Sequence, residues 1–427
     1  MIKMSKKEVV SLLSEREKEP LKKERKSFSV LEQITGYSRR QLIRISNELK
    51  ERPPDDVAKH KNKGRVPVNA ACESEIEFMV KLKSKYPVIT IAQFKDYVDE
   101  DYIDDPSRKW SANRYHLKKR SYSWYENLFH RFGWKSPIRH KRAKGFSHPF
   151  TIRPPRPRKG ELIQLDGTPH DWFGDGHKLC LHLAVDDATS EVLAGFFTEN
   201  ECLYGYCCMM VIVLKKYGIP EAVYSDKHQI FKSQDGTFTN FGFAMNDLGV
   251  DMIYANTPQA KGRVERMNFT EQNRIINDLK RFNVSKDLDQ LNLWFNDFYA
   301  GYLNSKFSYL PLDPHEAFVE IVDNQYDFNS LFTLRFTRII NGNSSFSFNN
   351  HLYAPIDEET GEIVYIRKDV KVDVRFEILT DSVIIIRYGK KYVCKDLGIN
   401  TKGRRKNVMD NSKDFERYFD EKERNKD

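Results

Sequence analysis

The chain has 427 residues, a formal net charge of +9 and 40% hydrophobic residues, so it is too long for one typical domain and too apolar to be disordered. Six cysteines occur without any Cys-x-x-Cys pair, which favours buried, reduced thiols over a disulfide scaffold. No apolar run is long enough for a signal peptide or a membrane span, so we expect a cytoplasmic protein of two to four domains.

The first 60 residues are predicted to be helical. Val30, Leu31 and Ile34 form one apolar face, Gly36 permits a sharp turn, and Ser38 can cap a second helix. A helix, a glycine turn and a basic second helix are typical of a helix-turn-helix, which predicts a DNA-binding module at residues 1–60. An ordinary helical hairpin with a basic surface is the alternative. The candidate DNA contacts on the second helix are Arg39, Arg40 and Arg44.

A second helical module is predicted at residues 65–134. Thr90 and Ser121 are placed to cap two of its helices. We interpret it as a second helix-turn-helix-like DNA-binding module. Ser123 and Tyr125 on its last helix are candidate contacts to bases or phosphates.

A basic arm follows at residues 135–160. From Arg108 to Gly160 there are sixteen Lys or Arg against one acid, Glu126, and aromatic residues lie among them. This density predicts a nucleic-acid surface, with a solvated basic face as the alternative. The candidate DNA contacts in the arm are Arg139, Lys141 and Arg142.

From residue 161 to about 325 the pattern is α/β. Asp166 and Asp226 each close an apolar, strand-like run, and Glu265 lies at the start of a long predicted helix. Acids at strand ends can converge on one point, where their mutual repulsion favours binding of a divalent cation. Because these ligands are oxygens, we expect Mg²⁺ or Mn²⁺, and two such ions can support in-line displacement at a phosphodiester.

Three motifs carry a family resemblance: Gln164–Thr168 (QLDGT), Tyr224–Asp226 (YSD) and Thr257–Arg266 (TPQAKGRVER). With them the chain resembles DDE transposases and retroviral-type integrases, in particular ISNCY-type bacterial insertion-sequence transposases. The resemblance implies an RNase H-like core in which Asp166, Asp226 and Glu265 are catalytic and bind two metal ions. The second and third acids are 265 − 226 = 39 positions apart, slightly more than in the shortest family members. Asp186 and Asp187, at the end of another strand, are the less favoured metal ligands.

The long helix is predicted to turn Glu265 inward. Arg263, Arg274 and Arg281 fall on its opposite face, where DNA phosphates and solvent are equally good partners. Lys261 and Arg263 are the candidate DNA contacts of this segment.

After the core, residues 331–397 are predicted to form a small β-barrel, followed by a charged tail at residues 398–427. The barrel would contact DNA or another subunit, or be purely structural. The predicted fold is therefore multidomain: N-terminal all-α helix-turn-helix modules, a central α/β RNase H-like catalytic core, and a C-terminal small β-barrel.

The resemblance implies a DNA transposase that binds the terminal inverted repeats of an insertion sequence and catalyses strand cleavage and strand transfer. The expected partners are double-stranded DNA and further copies of the chain, with no membrane and no small-molecule substrate. If the source is bacterial, the protein would be associated with the nucleoid. Two alternatives remain open: a DNA-binding regulator with a catalytically silent core, and an RNase H-like nuclease that cuts strands without joining them.

Overall fold

The computed structural model describes residues 4–21, 25–59, 70–137, 154–233, 237–254, 262–322, 325–349 and 351–399. Most of the basic arm and nearly all of the charged tail lie outside these residues. The chain divides into two compact units. The first runs to Met79 and includes Arg114–His116, and the second comprises Val80–Asn113 and the chain from Leu117 onward.

The first unit is helical, as predicted. It contains α1 (Lys6–Lys18), α2 (Phe28–Thr35), α3 (Arg39–Glu51) and α4 (Pro54–Ala58). Ser5 and Ser38 cap α1 and α3, each in a reciprocal capping box with the residue three positions later. Between α2 and α3, Gly36 has a φ of 70°, which glycine adopts without steric strain. The buried side chains that hold the helices together are Val9, Val10, Leu13, Leu31, Leu42, Ile45 and Val57.

Four more helices precede the sheet: α5 (Glu73–Lys85), α6 (Ile91–Val98), α7 (Lys109–Arg114) and α8 (Tyr122–Arg131). A π-helical turn, Asp99–Ile103, continues α6. Thr90 and Ser121 cap α6 and α8, as predicted. Phe94 of α6 packs edge-on against Phe129 of α8, with ring centroids 5.4 Å apart, so these two helices share a core.

The second unit contains a five-stranded mixed sheet. Its strands and the helices between them are β1 (Ile163–His170), β2 (Leu179–Asp186), β3 (Val192–Thr198), α9 (Leu203–Lys216), β4 (Ala222–Ser225), α10 (Asn240–Asp247) and β5 (Asp251–Tyr254). The spatial order is β3-β2-β1-β4-β5; β2 is antiparallel to both neighbours, and β1, β4 and β5 are parallel. This sheet confirms the predicted α/β class of the central region.

Helices cover both faces of the sheet. One face packs against α9 and α10, and the other against α11 (Gly262–Phe282), α12 (Leu288–Trp294) and α13 (Ala300–Phe307). A π-helical turn, Phe295–Tyr299, joins α12 to α13. Every residue of β2 is buried because alternate side chains serve the two cores: Leu181 and Leu183 lie on the α11 side and Ala184 on the α9 side.

Asparagine side chains cover the free edge of β3. They come from α12, the π-helical turn and α13: Asn292, Asn296 and Asn304. Each side chain accepts the backbone N–H and donates to the backbone C=O of one strand residue, at Phe197, Gly195 and Val192 respectively, over 2.6 to 3.1 Å. The amides thus replace the ladder of a neighbouring strand.

A second sheet follows α14 (Phe328–Leu331). It consists of β6 (Thr333–Ile339), β7 (Phe346–Phe348), β8 (His351–Pro355), β9 (Lys371–Glu377), β10 (Ser382–Arg387) and β11 (Lys390–Ile399). The strands are antiparallel in the order β6-β9-β10-β11-β8-β7, and β6 and β7 at the two ends approach each other. The sheet is therefore nearly closed, which agrees with the predicted small β-barrel in outline. The Arg335 N–H donates to Asn240 Oδ1 over 3.2 Å, which fixes this sheet to α10. In the described ranges, no helix is long and apolar enough to cross a bilayer.

Candidate active site

Asp166 and Asp226 belong to neighbouring parallel strands. Asp166 lies within β1, and Asp226 directly follows β4. The two strands are in register at Gln164 and Tyr224. Counting two residues further along each strand brings the two aspartates to the same level of the sheet. Both side chains are half-buried, so they remain accessible from solvent.

The first turn of α11 lies against β1. Gln164 Oε1 accepts a hydrogen bond from the Val264 backbone N–H over 3.2 Å, and Asn268 Nδ2 donates to Asp166 Oδ2 over 2.6 Å. Glu265 precedes Asn268 by three positions, so the two side chains are neighbours on the helix surface. Glu265 is nevertheless exposed, which corrects the expectation that it faces inward. The positive end of the helix dipole stabilises its charge there.

The donor set suits a hard divalent cation. Asp166, Asp226 and Glu265 offer carboxylate oxygens, which Mg²⁺ and Mn²⁺ prefer. Among the residues that the structure describes, no three His, Cys, Asp or Glu side chains form a ready-made metal cluster. The buried Oδ1 of Asn268 has no hydrogen-bond partner. The three acids therefore have the right chemistry for a divalent cation, and they lie on adjacent elements. Their side chains would have to rotate towards one another to coordinate it.

Asp187 stabilises the start of α11 through hydrogen bonds. It is fully buried, and its Oδ1 accepts hydrogen bonds from Gln164 Nε2 over 2.6 Å and from Arg263 Nη1 over 3.1 Å. Because Gln164 also binds the first turn of α11, Asp187 supports that turn through two side chains. Arg263, predicted as a DNA contact, is half-buried, and its Nη1 group donates to this acid.

Asp186 has a structural role. Its Oδ1 accepts the Gly160 N–H over 2.9 Å, and its Oδ2 accepts both the backbone N–H and the hydroxyl of Thr189 over 2.8 Å. Burial raises the pKa of this carboxyl. These contacts tie the turn after β2 to the chain before β1, and they account for a buried acid without a cation.

Gly167 allows α9 to approach the strand beside Asp166. A Cβ atom at Gly167 would lie 2.7 Å from the Glu201 Cδ and 2.8 Å from the Tyr206 Oη, so any other residue would have to displace these two side chains. Tyr206 donates its O–H to Glu201 Oε1 over 2.7 Å. Burial, followed by the negative charges of Glu201 and Asp166, raises the pKa of Tyr206 well above its ordinary value, so the phenol stays a neutral donor.

Apart from Arg263, the candidate DNA contacts fall into three groups. Those with exposed side chains are Arg39, Arg40, Arg44 and Ser123. Tyr125 is fully buried, with its ring 5.9 Å from that of Phe94, so the prediction of a DNA contact there is wrong. The aromatic ring of Tyr125 belongs to the core between α6 and α8. The candidates outside the described residues are Arg139, Lys141, Arg142 and Lys261.

The basic face predicted further along α11 is not open. The side chains of Arg274 and Arg281 are each only 5% exposed. Arg274 Nη2 lies 2.8 Å from Asp96 Oδ2, and Arg281 Nη2 lies 3.0 Å from Glu100 Oε2. Acids of α6 and of the following turn therefore neutralise these arginines, and the interpretation as a DNA-facing or solvated face is wrong.

Sequence reasoning missed two residues of α11. Asn268 holds Asp166, and Glu271, three positions later, is fully buried with both carboxylate oxygens lacking a hydrogen-bond partner. Burial raises the pKa of Glu271 well above its ordinary value, so the group is neutral. The signal in the sequence is the three-residue spacing of polar residues from Glu265 onward on a helix that otherwise buries apolar ones.

Comparison with known sequences independently supports the resemblance to insertion-sequence transposases. No family model matches the chain. It is 34% identical over 238 residues to the transposase for insertion sequence IS1202 of Streptococcus pneumoniae, covering 53% of this chain and 50% of that protein. It is 38% identical over 171 residues to the putative transposase y4bF of Sinorhizobium fredii, covering 38% and 37%. The chain thus spans half or less of the curated relatives it matches, and they confirm its resemblance to insertion-sequence transposases.

Solved structures with some likeness are retroviral. A simian T-cell lymphotropic virus intasome in complex with PP2A regulatory subunit B56 gamma is 13% identical, with a TM-score of 0.31, covering 66% of this chain and 93% of that one. The HTLV-2 integrase catalytic core domain in complex with magnesium is 20% identical, with a TM-score of 0.26, covering 32% and 86%. These likenesses are remote and do not bear on the function of this chain.

Proposed function

We propose that this protein is a DDE-type DNA transposase that binds the terminal inverted repeats of an insertion sequence and catalyses DNA strand cleavage and strand transfer. The observation that carries the proposal is the contact between Asn268 and Asp166, over 2.6 Å. Together with the register of β1 and β4, it brings the start of α11, and with it Glu265, to the two strands that carry Asp166 and Asp226. The curated relatives described as transposases support the same class of enzyme.

The three acids would share two Mg²⁺ or Mn²⁺ ions, which polarise the attacking and leaving oxygens of a phosphodiester when bound. Asn268 orients Asp166, and Gln164 fixes the first turn of α11 and so the position of Glu265. In the first step water attacks the phosphorus at the element end, and the bond to the 3′ oxygen breaks. In the second step that 3′-hydroxyl attacks a phosphorus of the target strand and displaces its 3′ oxygen.

DNA recognition would use the helical segments as helix-turn-helix modules. α3 follows the Gly36 turn and exposes Arg40 and Arg44, a basic face suited to a major groove. α8 exposes Ser123 and Asn127. The substrate is double-stranded DNA, and because two element ends must be joined to one target, the active form is a homo-oligomer.

The test uses a labelled duplex that carries the DNA flanking the coding sequence, a plasmid target, and Mg²⁺ or Mn²⁺. The wild-type protein is expected to release a 3′-hydroxyl end and to join it to the plasmid, and a chelator should abolish both reactions. Glu265→Gln should lose both while still binding the duplex, because a neutral amide is a poor ligand for the cation. Glu320→Gln, at an exposed position outside the site, is the matched control and should react normally.

Any other result of this assay favours a different function or contradicts the role given to Glu265. Tight binding of the duplex without cleavage in either metal indicates a DNA-binding regulator. Cleaved strands without joined products indicate an RNase H-like nuclease. Cleavage retained by Glu265→Gln contradicts the assignment of that acid.

A further inference from the structure

The far half of α11 carries a buried polar network that metal binding does not need. At its centre, Asp278 is fully buried. Its Oδ1 accepts hydrogen bonds from the Tyr97 hydroxyl over 2.6 Å and from Gln93 Nε2 over 3.1 Å, and its Oδ2 accepts the Tyr299 hydroxyl over 2.7 Å. A buried carboxylate with three donors is stable only while every partner stays in place, so this network defines one arrangement of α6 on α11.

Ion pairs extend the network along both helices. Arg281 Nε lies 3.0 Å from both carboxylate oxygens of Asp101, and the guanidinium stacks over the Tyr97 ring at 4.5 Å. About two turns earlier on α11, Arg274 pairs with Asp96 over 2.8 Å. Because these charges face each other with little solvent between them, they are screened less than surface pairs and fix the axial position of α6.

Side-chain amides also bind the backbone across this contact. Gln93 Nε2 donates to the Arg274 carbonyl over 2.9 Å, and Asn277 Nδ2 donates to the Val88 carbonyl over 2.7 Å. The segment from Val88 to the π-helical turn is therefore attached to α11 through backbone carbonyls as well as through side chains.

α6 is joined equally firmly to α8. Phe94 packs against Tyr125, Phe129 and Trp134, with ring centroids 5.9, 5.4 and 6.2 Å apart. A continuous set of packed side chains thus runs from α8, through α6, to α11. Glu265 lies 16 residues before Arg281, about 24 Å along the helix at ~1.5 Å per residue.

We propose that α6 and its π-helical turn form a rigid bracket that sets the distance between DNA held by α8 and the cleavage centre at the start of α11. The bracket rests on the proposed function, since it requires α8 to bind DNA. Its role is to select which phosphodiester reaches the acids, so Asp96, Asp101 and Asp278 are positioning residues.

A chemical probe on α11 tests the bracket without relying on the protein's own catalysis. Phe269 is exposed one turn after Glu265, and Phe269→Cys in a Cys72→Ser background offers a thiol for an iron chelate, because Cys72 is the exposed cysteine among those described. When ascorbate and hydrogen peroxide are added to the bound, labelled duplex, the tethered iron generates radicals that cut the strands nearest to α11. The width of that window reports how precisely the DNA is held.

The test variant is Asp96→Asn with Asp101→Asn, and the matched control is Asp175→Asn, which removes an acid from the exposed ion pair with Lys286. In the test variant, hydrogen exchange of α6 amides should accelerate about tenfold, and the iron-cleavage window should become roughly twice as wide, with duplex affinity unchanged. The control should match the parent in both measurements.

Faster exchange with an unchanged cleavage window overturns the bracket, as does unchanged exchange. If the parent never cuts DNA with its own metal but the test variant still shows faster exchange and a wider iron-cleavage window, the transposase proposal fails and the bracket stands. If the duplex does not bind at all, both proposals fail.

Discussion

The two ends of α11 are built in opposite ways. At the start, Glu265 is exposed, and the helix is tied to the sheet by Gln164 and Asn268. Towards the end, Arg281 is almost fully buried among acids and aromatic rings. One helix therefore has an open end, where an acid faces solvent, and a closed end, where the charges are already paired.

The contrast shows how one helix can be both rigid and reactive. A site that binds metal and DNA must leave acids unneutralised, which is costly for the folded state. Burying ion pairs and hydroxyl donors around Asp278 fixes the same helix two turns or more away. The closed end thus adds to the orientation that Gln164 and Asn268 give the open end.

The largest expected effect is at the closed end. Arg281→Ala leaves Asp101 without its cation and leaves Glu100 with Lys306 alone, so the free energy of unfolding should fall by about 3 kcal/mol. Urea unfolding measures it. Lys286→Ala, which removes the cation of an exposed pair, should change stability by less than about 0.5 kcal/mol. Equal effects for the two variants would show that the buried ion pair stabilises the fold no more than the exposed one.

At the open end the effect should appear in catalysis. Asn268→Ala releases Asp166 and should lower the cleavage rate about 10- to 100-fold, because an oriented ligand loses its partner. Single-turnover cleavage of the labelled duplex measures it. Asn273→Ala, on the same helix with its side chain on the Phe269 carbonyl, is the control and should cleave at the parental rate. A normal rate in Asn268→Ala would mean that Asp166 needs no support.

The smallest expected effect is on stability and concerns Glu271, which lies between the two ends of α11. Glu271→Leu replaces a buried carboxyl without hydrogen bonds by an apolar side chain, and should raise the free energy of unfolding by about 1 to 2 kcal/mol. The raised pKa keeps this group protonated in the fold, whereas the unfolded chain releases the proton above its ordinary value of 4.5. The folded state therefore binds more protons, and its stability should fall as the pH rises above 4.5.

Glu271→Gln is the matched variant for the pH measurement, because it keeps the shape and removes the titration. Its stability should lack the part of the decline above pH 4.5 that the parent owes to this group. A parental pH profile in Glu271→Gln would show that another group is responsible.

Much of the fold follows from local patterns in the sequence. The apolar runs before Asp166 and Asp226 formed strands, and Gly36 and Ser38 produced the turn and the cap that their chemistry predicts. The positions of the acids on two strands and a helix were also readable. Their roles as catalytic residues and metal ligands stay predictions that the cleavage assay would decide.

Long-range partners were not readable. Arg274 looked like an open basic residue because its partner Asp96 is 274 − 96 = 178 positions away, and nothing in the local sequence joins them. Tyr125 looked like a contact residue because an aromatic ring in a basic segment suits nucleic acid equally well. Its burial depends on Phe94, in another helix.

The asparagine side chains along β3 limit how copies of this chain can meet. An uncovered edge strand would offer its peptide groups to a strand from another molecule. Here the outward N–H and C=O groups of Val192, Gly195 and Phe197 already have partners within the chain. Growth of a continuous intermolecular sheet from this edge would first have to displace amides. Copies of the chain that pair strand to strand would therefore have to use a different sheet edge from that of β3.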